Sequence, residues 1–265
     1  MPSLGVAMFQ PLLTSLEALV TAQVSFPQGG SVMEQVALRW LHFVAGFVWL
    51  GFLYFFNIVM TPGMKELDAP VRARAFTALM PRAMTWFRWS AFWAWLAGFR
   101  YFMILAKEDA VNAGDPGLMW KWLGIWFGVW LVAYVLLHGF LMMSEGPMKN
   151  GWVLAVASTI VVAGASWLVL ELIAGPATGN RTLSISVGGG LGTIMLFLVW
   201  GMVWRCQKRL IAWQRAAAEQ GAAPPAEAAV VARRAYLASR MGFWLSFPLL
   251  FFMAASAHFP FLSGR

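Results

Sequence analysis

The chain has 265 residues, of which 60% are hydrophobic and 11% are charged. A soluble domain carries about 25% charged residues, so this composition excludes an ordinary water-soluble globular protein and favours a chain that lies in lipid. The formal net charge of +8 does not indicate nucleic-acid binding, because the basic residues lie between apolar stretches and form no compact basic module.

The first 34 residues are predicted to form an arm outside the membrane or at its surface. Residues 1–30 contain no Lys or Arg, and Gln10, Pro11, Glu17 and Gln23 interrupt their apolar stretch. A cleaved signal peptide needs a basic start and an unbroken apolar segment, so none is expected here. Residues 35–265 form the predicted transmembrane domain.

Six apolar segments follow, each about the 20 residues that cross the hydrocarbon core as a helix. The sequence therefore predicts an all-α fold, a polytopic transmembrane helical bundle with about six spans. Six crossings place both termini on the same side of the membrane. The predicted spans are residues 37–61, 85–106, 118–143, 152–175, 186–205 and 241–262.

Basic residues assign the two faces of the membrane. Cytoplasmic connections of membrane proteins are enriched in Lys and Arg, so we expect a bacterial inner-membrane protein with both termini in the periplasm. The cytoplasmic loop, residues 206–240, contains a Pro224-Pro225 break and is predicted as two short helices around a flexible tip. Thirteen of the nineteen Lys and Arg lie on the predicted cytoplasmic face: Lys65, Arg72, Arg74, Arg82, Arg88, Lys149, Arg205, Lys208, Arg209, Arg215, Arg233, Arg234 and Arg240.

Two histidines inside the spans are the first candidates for function, since an ionisable group in lipid is costly unless it is paired or ligated. His42 in span one and His258 in span six each lie about 6–8 Å below the predicted periplasmic boundary, at roughly 1.5 Å per residue. Small residues one turn away, Gly46 beside His42 and Ala254 and Ala255 beside His258, leave room for a flat ring. Two imidazoles at one level could ligate haem b, with both histidines as the metal ligands. Hydrogen bonding to the protein or to a quinone is the alternative.

Three further ionisable groups lie within the spans. Arg100 and Glu171 fall at the same predicted depth as the two histidines, and Arg100 could bind a haem propionate, a quinone carbonyl or an anionic substrate, or pair with Glu171. His138 lies roughly 20 Å away near the predicted cytoplasmic end, where it holds a second cofactor or is a satisfied interior residue. Cys206 is the single cysteine, which excludes an intramolecular disulfide and a two-cysteine haem c attachment.

Five stretches of sequence, taken in order, carry the motifs of one known family. Residues 39–51 read RWLHFVAGFVWLG, residues 85–89 read TWFRW, and residues 95–98 read WLAG. Arg181 precedes VG at 187–188 and GTIM at 192–195, and the chain closes with FPL at 247–249 and HFP at 258–260. This order resembles the membrane domain of bacterial membrane-bound urate hydroxylases, which has RWxHxxxGxxWxG, TWFKWE…TWLSG, GR…HVG…GTIM and LPV…SNHYP. The most specific matches are His42, Arg88, Arg181 and His258.

The resemblance implies a domain that takes part in urate oxidation and passes electrons to a cytochrome c. The chain departs from the family in three respects. No cytochrome c domain follows the last span, Ser186 stands where the family has His, and residues 241–244 read MGFW where the family has HNNY. Polar residues that would bind or deprotonate a purine are therefore largely missing.

Together these features predict a membrane component associated with electron transfer that binds haem b or quinone. Its expected partners are the lipid bilayer and a cytochrome c or a larger complex on the periplasmic side. Whether the chain is itself an oxidoreductase stays open, and a non-catalytic accessory subunit of a respiratory or photosynthetic complex is the alternative. The predicted cofactor-binding residues are His42, His258, Arg100, Gly46 and His138; no catalytic residue is assigned.

Overall fold

The computed structural model describes residues 10–11, 14–15, 29–143 and 146–262. Within these ranges the chain forms six long helices and no strand, which confirms the predicted all-α fold. The helices are α1, Gly30–Glu66; α2, Ala69–Asn112; α3, Leu118–Met142; α4, Gly151–Ile173; α5, Asn180–Gln220; and α6, Ala228–Ala255.

The chain divides into two units, Met1–Ala37 and Leu38–Arg265. Most of the predicted N-terminal arm, residues 1–34, lies outside the described residues, and α1 already begins at Gly30. The helical bundle described below is the second unit.

Each predicted span coincides with one of the long helices. Five of them, α1, α3, α4, α5 and α6, are long and apolar enough to cross a membrane. Helix α2 is not among these five. The architecture is that of a multi-pass membrane protein, while the count of six crossings and the periplasmic location of both termini stay predictions.

The predicted boundaries change at the last two helices. Helix α5 continues to Gln220, where Gly221 adopts a left-handed conformation with φ 64°, as glycine commonly does at a helix end. Helix α6 begins at Ala228, so residues 206–240 extend two long helices instead of forming two short ones. The last helix also ends earlier than predicted, at Ala255 instead of residue 262.

The first half of α5 is the centre of the bundle. The most apolar stretch of α5 is 89% buried, against 22–33% for the other four apolar helices. A Cβ at Gly190 would lie 1.8 Å from the Trp130 ring of α3, and one at Gly188 would lie 3.1 Å from Phe252 and Met253 of α6. The helices pack closely at this glycine run, because any larger residue at position 190 would force α3 away.

Indole hydrogen bonds fix α2 and α3 to this central helix. Trp126 and Trp130 of α3 both donate to the Ser186 carbonyl, at 2.7 and 3.1 Å, and Trp95 of α2 donates to Thr193 Oγ1 at 2.8 Å. In lipid a polar group must find its partner within the protein. These bonds therefore fix how far α2 and α3 are shifted along their axes relative to α5.

Two π-helical segments hold polar contacts between helices. In the first, Phe55–Met60, the buried Asn57 donates to the Leu53 carbonyl and to Ser239 Oγ of α6, at 2.9 and 3.0 Å. In the second, Val199–Val203, the Tyr134 hydroxyl lies 2.5 Å from where a Cβ of Gly201 would be. Such bulges shift the helical face by one residue, and here each coincides with a polar side chain that joins two helices.

We predict that Gly190→Ala lowers the stability of the bundle. The added methyl group would overlap the Trp130 ring, and overpacking of this kind costs about 1–3 kcal/mol. The midpoint of thermal unfolding in detergent, followed by intrinsic tryptophan fluorescence, should fall below that of the wild type.

The matched control is Gly164→Ala in α4, where a Cβ would meet no atom within 4 Å. Alanine has the higher helix propensity, so this variant should unfold at the wild-type midpoint or above it. Equal midpoints for Gly190→Ala and the wild type would contradict the packing described here.

Candidate functional site

His42 is bound to the neighbouring helix α2. Its Nδ1 lies 2.7 Å from the Ala94 carbonyl oxygen, and its ring packs so closely on Gly98 that a Cβ there would lie 2.7 Å away. A carbonyl oxygen only accepts hydrogen bonds, so Nδ1 carries the proton and Nε2 keeps its lone pair. The ring is half-buried, and a Cβ at Gly46, one turn on, would meet no atom within 4 Å.

His258 lies in a different environment. It follows the end of α6, where its backbone N–H donates to the Ala255 carbonyl at 3.2 Å, and its side chain is exposed. It lines an open cleft that reaches α2 at Leu105, Glu108 and Asp109.

The expectation that the two histidines share one level is wrong. His42 contacts α2 at residues 94 and 98, whereas the His258 cleft meets that helix from residue 105 onwards. At roughly 1.5 Å per residue these levels are about 10 Å apart. The residues therefore do not fit a haem b held between His42 and His258, although the tautomer of His42 would suit a single ligand through Nε2.

The cleft itself brings together polar groups from three parts of the chain. We call it the Arg181 cleft; its volume is about 400 Å³. It lies where α2 and α6 end and α5 begins, opposite the end of the bundle that carries most basic residues. Its polar side chains are Glu108, Asp109, Asn180, Arg181, Thr182, Ser256 and His258.

Hydrogen bonds hold the walls of the Arg181 cleft in place. Asp109 Oδ2 accepts from the Gly179 backbone N–H at 3.0 Å, which ties α2 to the start of α5. Asn180 Nδ2 donates to the carbonyls of Ser256 and Phe259, at 3.0 and 3.2 Å, and its Oδ1 accepts from the Leu262 N–H at 3.1 Å. Asn180 thus fixes the segment that carries His258.

The polar groups of the Arg181 cleft suit a ligand that both donates and accepts hydrogen bonds. Arg181 is exposed and offers a planar set of donors that matches an anionic or carbonyl group. Glu108 and Asp109 accept hydrogen bonds, and the neutral imidazole of His258 can donate one hydrogen bond and accept another. Among the residues that the structure describes, no three His, Cys, Asp or Glu side chains gather to hold a metal ion.

The other sequence candidates lie apart from this cleft. His138 is on α3, where its Nδ1 lies 3.3 Å from the Tyr134 hydroxyl, which also donates to the Phe197 carbonyl at 3.5 Å. Arg100 of α2 and Glu171 of α4 have exposed side chains, and their pairing stays a prediction.

Ser186 is fully buried in the core, at the position where the family has a histidine. Its side chain is 0% exposed, and its hydroxyl donates to the Leu183 carbonyl at 2.7 Å. The indoles of Trp126 and Trp130 cover its carbonyl. This position is structural in the present chain.

Sequence reasoning missed the two acidic residues and Asn180. Glu108 and Asp109 follow directly after the second predicted span, and acidic pairs beside a span are scarce in this chain, so their position was a usable signal. Asn180 acts through backbone carbonyls of a distant segment, which no sequence pattern marks.

One comparison with known proteins found a match. A family model described as urate oxidase N-terminal matches residues 69–265, about three quarters of the chain. The matched range begins with α2 and includes every residue that lines the Arg181 cleft, but it does not reach His42. No curated protein and no solved structure matches the chain.

We predict that Asn180→Ala releases the segment after α6. Each lost hydrogen bond contributes about 0.5–1.5 kcal/mol, so the backbone amides of residues 256–262 should exchange with deuterium about tenfold faster or more. Hydrogen exchange read by mass spectrometry measures this directly.

Asn150→Ala is the matched control, because Asn150 caps α4 by accepting from the Trp152 N–H at a place remote from the cleft. It should leave exchange at 256–262 unchanged. Wild-type exchange in Asn180→Ala would show that something other than Asn180 fixes the segment.

Proposed function

The chain belongs to the urate oxidase N-terminal family, and from this premise we propose that it is a membrane component of a redox reaction whose Arg181 cleft binds the small polar substrate. The observation that carries the proposal is the meeting of Arg181 and His258 in one open cleft. Both residues match motifs of the family, and both lie within the matched residues 69–265. Arg181 lies at the start of α5, and His258 follows the end of α6.

The chemistry of the Arg181 cleft suits a planar anionic heterocycle of the urate class. The guanidinium of Arg181 can donate two parallel hydrogen bonds to adjacent oxygen and ring nitrogen atoms of such a ligand. Glu108 accepts from ring N–H groups, while one oxygen of Asp109 already accepts from Gly179. A flat ligand with alternating donors and acceptors can accept from Arg181 and donate to Glu108 at the same time.

His258 supplies the group that can move a proton. Oxidation of urate by addition of water releases two electrons and two protons, so the site needs a base near the ligand and an acceptor for the electrons. The exposed imidazole of His258 at the cleft wall can serve as this base. A quinone of the bilayer takes up two electrons and two protons and balances the reaction; a cytochrome c partner would take the electrons singly.

A second function, that of a non-catalytic accessory subunit, is favoured by one observation. The Ser186 position is filled and covered by two indoles, where the resemblance places a histidine. In that case the chain would associate stably with a larger membrane complex, and its Arg181 cleft would not bind urate.

Urate binding to the full chain in detergent separates the two functions. We expect urate to raise the midpoint of thermal unfolding, and Arg181→Met to abolish most of that rise, because the variant loses the paired charge-assisted bonds worth about 1.5–3 kcal/mol. Titration calorimetry with urate gives the affinity independently.

Arg205→Met is the control, since Arg205 lies at the opposite end of α5 and should leave the urate response unchanged. A wild-type chain that shows no response to urate, or a response that Arg181→Met retains in full, would exclude the proposed site.

A further inference from the structure

Arg88 lies in a cage of three tryptophans at the basic end of the bundle. Its guanidinium carbon is 3.9 Å from the centre of the Trp204 ring, 5.5 Å from that of Trp200 and 5.9 Å from that of Trp89. The Trp200 indole donates to the Arg88 carbonyl at 3.1 Å, which closes the cage between α2 and α5. We call these four residues the Arg88 cage.

Among the residues that the structure describes, no carboxylate forms an ion pair with Arg88. Its Nε is buried and meets no hydrogen-bond acceptor among the described residues. A cation over an aromatic ring gains about 0.5–2 kcal/mol, which does not replace the hydrogen bonds that a guanidinium makes in water. Arg88 as a whole is half-buried, but its Nε is fully buried, and a buried charged donor is expected to have an anionic or carbonyl partner. Among the described residues the cage is therefore incomplete.

Arg209 shows what a complete site of this kind looks like in the same protein. It also lies over a tryptophan, with its guanidinium carbon 4.9 Å from the centre of the Trp213 ring. Unlike Arg88, it forms an ion pair with a carboxylate, that of Glu227. By comparison, Arg88 lacks an anionic partner whose oxygen atoms accept from its guanidinium, as the Glu227 carboxylate accepts from Arg209.

The position of the Arg88 cage identifies the source of that anion. Arg88 lies about one turn inside the start of the second predicted span, and Arg205 follows Trp204 directly. Arginine side chains at this depth extend toward the headgroup layer, and Trp89 is 43% exposed, as an indole at the membrane interface would be. Basic pockets between helices on such a face bind anionic lipid headgroups.

We propose that the Arg88 cage binds the phosphate of an anionic phospholipid headgroup. The guanidinium donates to the phosphate oxygens, and the three indoles hold it in position and exclude water. Arg88 lies near the middle of α2, well before the residues 105–109 that line the Arg181 cleft, and the cage does not depend on the function proposed for that cleft.

The test uses full-length chain in detergent with phosphatidylcholine, to which phosphatidylglycerol is added in steps. Native mass spectrometry counts the bound phosphatidylglycerol, and thermal unfolding gives the stabilisation. We expect Arg88→Met to weaken phosphatidylglycerol binding by about tenfold, the loss of one charge-assisted contact. Arg88→Lys should retain part of the binding, because it keeps the charge but not the fork.

Arg209→Met is the matched control and should bind phosphatidylglycerol as the wild type does. Equal binding by the wild type and by both Arg88 variants would overturn the proposal, and so would an equal weakening in Arg209→Met, which would mean general attraction to a basic face. Inorganic phosphate or a quinone that produces the same Arg88-dependent stabilisation in phosphatidylcholine alone would also overturn it, because the ligand would then not be a lipid.

Discussion

The close approach of α3 and α6 to the glycine-rich half of α5 is the constraint on which the rest of the structure depends. Where lipid surrounds the helices, burying apolar surface gives little drive for association, so van der Waals packing and internal hydrogen bonds must hold them together. Gly190 admits the Trp130 ring, and the Ser186 carbonyl accepts two indole N–H groups. These contacts fix the position of α5 along its axis relative to α3. That position determines which residues of α5 lie at the two ends of the bundle.

The functional features lie at those ends and not in the packed core. At the start of α5, Asn180 and Arg181 meet the ends of α2 and α6 and form the Arg181 cleft. Near the other end of the same bundle, Trp200 and Trp204 close over Arg88. The central helix α5 thus contributes to the Arg181 cleft at its start and to the Arg88 cage in its second half.

The sequence was sufficient for the approximate position of the long helices, because length and hydropathy act locally, whereas the helix contacts at Gly188 and Gly190 are seen only in the structure. It failed for the depth of the histidines. The level of His258 was counted from a span end at residue 262, whereas α6 ends at Ala255 and the residue lies in the turn beyond. The partner of His42 is the backbone carbonyl of Ala94, which any residue could provide. The Arg181 cleft depends on three chain segments. Of its residues, the sequence indicates His258 from its place in the last predicted span and Arg181 only from the family resemblance.

Cross-linking of engineered cysteine pairs tests the central claim most directly, that packing around α5 brings Arg181 and His258 to one cleft while His42 stays at another level. In a chain with Cys206→Ser, the pair Arg181→Cys and His258→Cys should react in high yield with a short bismaleimide, and the pair His42→Cys and His258→Cys should not. The reverse result, efficient cross-linking of positions 42 and 258 and none between 181 and 258, would contradict the arrangement of helices and the site built on it.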